Sequence, residues 1–164
     1  MHKKTVIVIS SVIIVVIVLA YIIMNVASMP TLYVDPTTIN REIGEDFLIT
    51  ISVSNVADLY AWQFKLSWNS AILDFLSIAE GPFLQSSGNT TFDPRTENST
   101  QGYIFVVCRL VGETSGVSGN GILAAISFHV KAGGNCNLDL SETMLVNSGE
   151  QQIGHRTVGG RFGT

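Results

Sequence analysis

The chain has 164 residues, which suits one domain preceded by a targeting segment and is short for two full domains. Charged side chains make up only 13% of it. Lys3 and Lys4 are the only charges before Asp35, so the rest of the chain has a formal charge of −6, with 7 basic and 13 acidic residues. An acidic domain is a poor partner for nucleic acid or anionic lipid, and nucleic acid is excluded as a partner.

The N-terminal segment is strongly apolar, because residues 5–24 contain no charged side chain. A helix of about 20 apolar residues is about 30 Å long, the thickness of the hydrocarbon core of a bilayer. We therefore expect residues 1–28 to be a targeting segment that crosses the cell membrane once with residues 5–27. The small residues at 26–28 also fit a cleavage site, so a cleaved secretory signal stays open. The two N-terminal lysines stay in the cytoplasm, and the rest of the chain is extracellular in either case.

After residue 30 apolar and polar residues alternate in the way that is typical of β-strands. The alternation is clearest over residues 47–54, 60–68 and 122–131. Clusters of Gly, Asn, Ser and Pro separate these stretches and predict turns, and no long amphipathic helical pattern follows residue 30. Residues 31–164 are therefore expected to form one all-β domain, a sandwich or a barrel.

Two tryptophans lie on one side of the strand expected at residues 60–68. Trp62 and Trp68 could form a flat platform on which a sugar ring stacks. They share that side with Phe64 and Leu66, however, and an all-apolar row of this kind is typical of the side that faces the core. We expect core packing to be their role.

The segment after residue 85 holds two glycosylation motifs. Asn89 and Asn98 each begin an N-x-[ST] sequence, so both could carry glycans on an exported chain. The two cysteines are Cys108 and Cys136. Outside the cell they could form a disulfide, but Cys108 lies in an apolar stretch where a free thiol packs as a small hydrophobe. The paired and the free state both stay open.

No pattern of residues points to catalysis. The histidines His2, His129 and His155 are scattered, and the cysteines lack the C-x-x-C spacing of a zinc site. Acidic residues such as Asp93 stand alone in the sequence, so no carboxylate pair for glycoside hydrolysis can be assigned. His129 falls on the polar side of its strand and is expected to be solvated. We predict a domain that is not an enzyme and has no metal site and no cofactor.

Taken in order, several stretches resemble the cohesin domain family. They include an aromatic alternating strand with its following turn, and a glycine-rich turn that leads into a long strand. These stretches are residues 58–75, 116–128, 138–140 and 158–160. The resemblance covers residues 31–164, although Ser70 stands where the family usually has proline. Small archaeal membrane-anchored proteins with one cohesin-like domain are similar in overall plan.

The resemblance implies a jelly-roll β-sandwich of about nine strands, a fold shared with cellulose-binding modules of families 2 and 3. Cohesins bind dockerins, which are small calcium-loaded modules of other proteins, and so assemble polysaccharide-degrading complexes. The chain has no D-x-[DN]-x-[DN]-G calcium loop, so a dockerin-like partner would be a separate extracellular protein. The family's dockerin-contacting strand usually has polar side chains where Ala61 and Gln63 stand here, and only Gln63 could keep that role.

Residues 103–110 have apolar side chains on both sides of the expected strand, which a solvated sheet normally avoids. The resemblance places this strand beside residues 60–68 and close to residues 121–131. Leu123 and Ala125 are expected to point outward there. The three strands together would present an apolar centre with a polar edge, the anatomy of a binding surface.

We predict that this surface binds the partner, with Tyr103 and Phe105 as anchors because aromatic residues dominate interface energetics. The predicted partner-binding face consists of Gln63, Lys65, Tyr103, Phe105, Arg109 and Ala125. In the alternative, residues 85–101 fold over the patch and cover it.

The sequence thus favours a cohesin-like module at the cell surface that assembles with another protein, with a link to polysaccharide binding or degradation. Two other functions stay open: a module that binds carbohydrate directly, and a structural subunit of the cell surface. Exposed coplanar aromatics would favour carbohydrate, an apolar patch with a polar rim would favour a protein partner, and self-association would favour a structural subunit.

Overall fold

The computed structural model describes residues 29–164 and, before them, only Ile14 and Val16. The predicted membrane segment, residues 5–27, therefore lies almost wholly outside the described residues. Within the part of the chain that is described, no helix is long and apolar enough to cross a bilayer. The predicted domain, residues 31–164, falls inside the described range.

The described part consists mainly of β-strands, as the alternation predicts. Ten strands are joined by hydrogen bonds into one sheet that folds over on itself. Their bounds are β1 (Thr31–Asp35), β2 (Thr38–Asn40), β3 (Asp46–Ser67), β4 (Leu73–Glu80), β5 (Thr90–Arg95), β6 (Tyr103–Leu110), β7 (Val117–Val130), β8 (Asn135–Asn147), β9 (Arg156–Val158) and β10 (Gly160–Gly163). One short helix, α1 (Pro82–Gln85), and one 3₁₀ turn (Ser99–Gln101) lie between strands.

The longest strand, β3, takes part in both layers of the domain. Its backbone bends at Asn55 and Asp58, which both have a φ of 56°. Asparagine and aspartate tolerate this left-handed conformation better than most residues do. Residues 46–54 pair with β1 and β7, whereas residues 59–67 pair mainly with β6 and β8.

The side chain of Asp58 holds the bend in place. Its carboxylate accepts hydrogen bonds from the backbone N–H of Gly116 (2.9 Å) and from the hydroxyl of Ser148 (2.7 Å). The bond from the Ser148 hydroxyl is the main reason why the pKa of Asp58 lies below its ordinary value of 3.8. The ionised carboxylate thus ties the β3 bend to the β6–β7 loop and to the turn after β8.

The two layers form a β-sandwich, as predicted. The β7 layer has the strand order β9-β1-β3-β7-β4, and the β6 layer has the order β2-β10-β8-β3-β6-β5. Aromatic side chains meet between them: Phe47 stacks on Phe162 with ring centroids 5.4 Å apart. Trp68 meets the edge of Phe128 at 5.0 Å. The count of ten strands in the described range is close to the nine expected.

The core contains both tryptophans. Trp62 is 2% exposed and stacks on Phe64 with ring centroids 5.5 Å apart. Trp68 is 7% exposed, and its indole Nε1 donates a hydrogen bond to the carbonyl of Leu73 at 3.1 Å. Their predicted role in core packing is confirmed, and neither can serve as a sugar platform.

A bulge in β7 changes which of its side chains face outward. Ile51 pairs with Ala124, whereas Ser52 pairs with Ile122, so β7 has one extra residue between them. As a result Leu123 is 1% exposed and Ile122 is 38% exposed. The prediction that Leu123 points outward is wrong, because a bulge reverses the alternation on one side of it.

The two cysteines do not form a disulfide. Cys108 and Cys136 are both free and buried. Cys108 pairs with Trp62 across β6 and β3, whereas Cys136 pairs with Phe162 at the far end of β8. Their positions along the strands differ by about eight residues, or roughly 25 Å, whereas a disulfide needs Cα atoms within about 7 Å. Burial raises the pKa of both thiols.

Candidate binding face

The outer side of the β6 layer presents four strands, β8-β3-β6-β5, in one surface that we call the β6 face. Side chains at paired positions stand in rows across it, because the strands are in register. The rows are Val146-Ala61-Arg109-Thr91, Met144-Gln63-Val107-Asp93, Ser141-Lys65-Phe105-Arg95 and Asp139-Ser67-Tyr103.

Five of the six predicted partner-binding residues lie together on the β6 face. Gln63 and Lys65 point outward from β3, and beside them Tyr103, Phe105 and Arg109 point outward from β6. The residues that alternate with them are buried in the core. The predicted pairing of these two strands is confirmed, and the role of the five residues in binding stays a prediction.

The sixth residue, Ala125, lies in the other layer. It pairs with Thr50 of β3 and with Ala79 of β4. Its side chain therefore points out on the opposite side of the sandwich, and its expected place beside the other five is wrong. The reason is the bend in β3: β7 pairs with β3 before the bend, and β6 pairs with it after the bend.

Glu142 connects one group of side chains on the β6 face. It stands at an irregularity of β8 with a φ of 48°. Its carbonyl accepts a hydrogen bond from Gln63 Nε2 at 3.1 Å, and its carboxylate lies 3.1 Å from Lys65 Nζ. The same ammonium lies 4.6 Å from the centre of the Tyr103 ring, close enough for a cation–π interaction. Gln63, Lys65 and Tyr103 are thereby held in one arrangement.

A similar group surrounds Phe105. The guanidinium of Arg95 lies 5.8 Å from the centre of the Phe105 ring, and its Nε is 3.1 Å from the Asp93 carboxylate. Both charged side chains are more than half exposed, so this ion pair orients Arg95 and contributes little to stability. Each aromatic residue of the face thus has a cation beside it and remains half-exposed.

Arg109 differs from Lys65 and Arg95, because it has no ion-pair partner among the described residues. It is exposed and stands in a row with Ala61 and Val146. A free guanidinium next to apolar side chains can pair with a carboxylate of another molecule without first giving up a partner of its own.

Residues 85–101 do not cover the β6 face. Their central part is β5, which pairs with β6 from Thr90 opposite Leu110 to Arg95 opposite Phe105. The segment therefore widens the sheet at its edge. The alternative in which it folds over the patch is wrong.

The two predicted glycosylation sites flank β5. Asn89 is exposed just before the strand, and its carbonyl accepts a hydrogen bond from the Val111 N–H at 2.9 Å. Asn98 lies half-buried beside the 3₁₀ turn, and its carbonyl accepts a bond of 3.4 Å from the Tyr103 N–H. A glycan at Asn98 would stand at the Tyr103 end of the β6 face; glycosylation at both sites stays a prediction.

Sequence reasoning missed the members of the face on β5 and β8. Thr91, Asp93 and Arg95 alternate along β5, a pattern that is visible in the sequence but short. Met144 was missed because the irregularity at Glu142 breaks the alternation of β8. A search for a second alternating edge strand would have found the residues on β5. The place of Met144 depends on the pairing of β8 with β3 and could not be found in this way.

Within the described residues, no group of three or more His, Cys, Asp or Glu side chains is placed to hold a metal ion. His129 is half-exposed, and its Nδ1 lies 2.6 Å from a carboxylate oxygen of Asp46. Lys131 Nζ lies 2.6 Å from the Asp74 carboxylate. These pairs follow from the register of β7 with β3 and β4, which the sequence alone does not specify.

The outer side of the β7 layer has a different character. We call it the β7 face, and its positions are Tyr33, Leu48, Thr50, Ser52, Ser77, Ala79, Ile122, Ala125 and Ser127, of which Ser52 is only 5% exposed. None of these nine side chains is charged. The acidic and basic side chains on this side of the sandwich stand at its margins: Asp35, Asp46, Asp74, His129, Lys131 and Arg156.

A family model for the cohesin domain matches residues 32–160 of the chain. A search of curated proteins found no match to this chain.

Solved cohesin structures are similar in fold. A non-cellulosomal cohesin from the hyperthermophilic archaeon Archaeoglobus fulgidus is 20% identical with a TM-score of 0.66, over 82% of this chain and 89% of that one. The sixth cohesin of scaffoldin B from Acetivibrio cellulolyticus, solved with a Cel5 dockerin, is 16% identical with a TM-score of 0.68, over 82% and 98%. The OlpC cohesin from Clostridium thermocellum, solved in a type I cohesin–dockerin complex, is 11% identical with a TM-score of 0.69, over 82% and 92%.

Proposed function

Because the chain belongs to the cohesin domain family, we propose that it is a non-catalytic binding module whose β6 face holds a dockerin-like domain of a separate protein. Cohesins of the same fold have been solved in complex with dockerins. The observation that carries the proposal is the pair of half-exposed aromatic residues, Tyr103 and Phe105, on an open four-stranded surface.

The composition of the β6 face supports a protein partner. Its apolar side chains are Val107 and the two aromatics on β6 and, on the far side of β3, Met144 on β8, which is 37% exposed. The charged groups stand around them. Protein interfaces combine such an apolar centre with a polar, solvated rim. The partner expected here offers an apolar patch and at least one carboxylate within reach of Arg109.

We propose further that this module lies at the cell surface. The uncharged segment at residues 5–24 supports a single-pass membrane protein with an extracellular domain, or a secreted protein if the segment is cleaved. Intact-mass measurement of protein extracted from membranes decides between them, because loss of the first 28 or so residues would identify a cleaved signal. Any role in polysaccharide binding or degradation then depends on the enzyme or binding domain that the partner protein carries.

The two other functions have less support. Direct carbohydrate binding loses its best candidates, since Trp62 and Trp68 are buried. It would have to use Tyr103 and Phe105, and binding of the purified chain to insoluble cellulose or chitin tests it. A structural subunit requires self-association, which sedimentation of the detergent-solubilised full chain measures.

The test of the proposed partner face uses the double variant Tyr103→Ala/Phe105→Ala in the full chain. The immobilised wild type captures partners from the surface proteins of the source organism, and calorimetry then compares affinities for the captured protein. Loss of two aromatic anchors is expected to weaken binding by at least about 30-fold, the effect of a hot spot of about 2 kcal/mol. The matched control is Tyr33→Ala, which removes a half-exposed aromatic from the opposite face and should leave the affinity unchanged.

Thermal unfolding of each variant separates binding from folding. A double variant that is as stable as the wild type and binds equally well would exclude the β6 face as the partner site. If the double variant unfolds, the single variants Arg109→Glu and Gln63→Ala, which touch the surface only, carry the test.

A further inference from the structure

The β7 face exposes large apolar side chains that take no part in the partner binding proposed for the β6 face. Leu48 on β3 is 57% exposed, and Ile122 on β7 is 38% exposed. At its edges Leu76 of β4 and Val158 of β9 are 48% and 44% exposed. Isolated exposed apolar residues are common. A sheet surface that has such residues and also lacks charge over nine positions is suited to contact with an apolar or neutral partner.

The chain enters the domain through the same layer. β1, the first strand, pairs with β3 and β9 in the β7 layer. The path is already fixed at Pro30, whose carbonyl accepts a hydrogen bond from the Arg156 N–H at 2.9 Å. If residues 5–27 cross the bilayer, residues 28–30 form the whole connection and span at most about 10 Å. The β7 layer is therefore the layer that the connection holds close to lipid.

Charge decides how the domain lies on the bilayer. At the end of the sandwich where β1 begins, the side chains of Asp58, Glu113 and Glu150 gather around Ser148. A domain standing on that end would bring three carboxylates to the headgroups of the lipids. A domain lying on the β7 face would bring an uncharged centre there, with charged side chains such as Asp46 and Asp74 only at its margins, and its apolar side chains could enter the interface. The formal charge of −6 that the chain carries after Lys3 and Lys4 disfavours contact with anionic lipid in general, whereas the centre of the β7 face carries no charge.

We propose that the β7 face rests on the lipid surface of the membrane in which the chain is anchored, so that the β6 face points away from it. The inference depends on the membrane anchoring given above as part of the proposed function. Its occupant is a bilayer, and the attraction comes from the apolar side chains of Leu48, Ile122 and Leu76. Added salt therefore leaves the contact intact. The two outer sides of one sandwich then have separate tasks, support on one side and recognition on the other.

The experiment places a fluorescent label on each face of the full chain in phosphatidylcholine nanodiscs. Leu48→Cys labels the β7 face, and Thr91→Cys, an exposed position on β5, is the matched control on the β6 face. Cys108 and Cys136 are 0% and 7% exposed, so they compete little for the label, and labelled wild type measures that background. A nitroxide-bearing lipid is the quencher.

Quenching of the Leu48→Cys label several-fold above that of the Thr91→Cys label is the expected result, with no change on adding salt. Equal, weak quenching at both positions would overturn the proposal and leave the face free in solvent. Distances measured between Leu48→Cys labels at two copies per disc provide a second check. A short distance between copies would overturn the proposal in favour of a dimer.

A charged variant guards against a false positive. Leu48→Asp/Leu76→Asp places one carboxylate on the β7 face and one at its edge, both at exposed positions, where folding is not expected to suffer. An Ile122→Cys label in this background should lose its quenching, while the affinity for the protein partner stays as in the wild type. A failure of anchoring is recognised separately, because the chain would then lack its first residues by mass and would not enter the discs; that result overturns the lipid contact and leaves partner binding by the β6 face standing.

Discussion

The two outer faces of the sandwich come from the same strand and differ in almost every property. On the β6 face β3 contributes Gln63 and Lys65. Beside them stand two aromatic rings and the basic side chains of Arg95 and Arg109. On the β7 face the same strand contributes Leu48 and Thr50, in a surface of nine residues without charge. The difference teaches that two exposed faces of one fold can differ in how charge is distributed, and it is on this difference that the proposed roles of recognition and support rest.

The core beneath the two faces is uniform. Phe64 under the β6 face and Ile49 under the β7 face are both essentially inaccessible to solvent. Since alternate residues of a strand point to opposite sides, each face can change its surface residues without disturbing the packing below it. The difference between the two faces can therefore be tested with pairs of matched substitutions, made either at neighbouring positions of one strand or at equivalent positions on the two faces.

The largest effect is expected at the bulge that decides which residues belong to the β7 face. Leu123→Ala removes a side chain that is 1% exposed, and we expect it to lower the free energy of unfolding by about 2–5 kcal/mol. Ile122→Ala, one position earlier, removes a partly exposed side chain and should cost less than about 1 kcal/mol. Chemical denaturation of both variants measures the difference. Equal costs would mean that the bulge lies elsewhere and that the membership of the β7 face must be redrawn.

An intermediate effect is expected from a charge placed at the centre of each face. Val107→Glu introduces a carboxylate among the apolar side chains of the β6 face, and we expect it to weaken partner binding by at least about tenfold, or 1.4 kcal/mol. Ala125→Glu makes the same change on the β7 face and should leave partner binding as it is. Calorimetric titration with the captured partner gives both numbers. Equal weakening by the two variants would contradict the assignment of recognition to one face.

The smallest effect concerns the bend that separates the faces. The pKa of Asp58 is lowered, chiefly by the Ser148 hydroxyl, so its stabilising contribution is present above the pKa of the unfolded chain and is lost as pH falls through the folded value. Asp58→Asn should therefore lower stability at neutral pH and make unfolding depend less on pH in the acid range. Denaturation at neutral pH and near pH 3 measures it. A variant with the wild-type acid dependence would show that other carboxylates dominate.

Several features could be predicted from single strands. The alternation at residues 60–68 correctly identified the buried side with Trp62 and Trp68, because a side chain's face depends only on its parity along one strand. The two apolar sides of residues 103–110 correctly identified β6 as a strand with an open outer surface. The family resemblance added the pairing of β6 with β3, and with it five of the six residues of the predicted face.

The errors arose where the side to which a residue points, or the residues that lie next to it, depend on more than one strand. Leu123 was misplaced by a bulge, which shows only when β7 is aligned with β3. Ala125 was assigned to the wrong face because the bend at Asn55 and Asp58 sends the two halves of β3 into different layers. The sequence left the pairing of the cysteines open, and the structure decides for free thiols, since Cys108 and Cys136 lie at different heights on strands that are separated by β3.

By itself the sequence determined the class of the domain, its most strongly alternating strands, its buried aromatic residues and its family, because these depend on local alternation and on the order of motifs along the chain. The tertiary structure alone decided which outward residues share a surface, since that depends on register, bulges and the bend at Asp58. It also decided which charged side chains pair with one another, such as Lys65 with Glu142, which are 77 residues apart. A contact between residues so distant in sequence is formed by folding, and no local pattern encodes it.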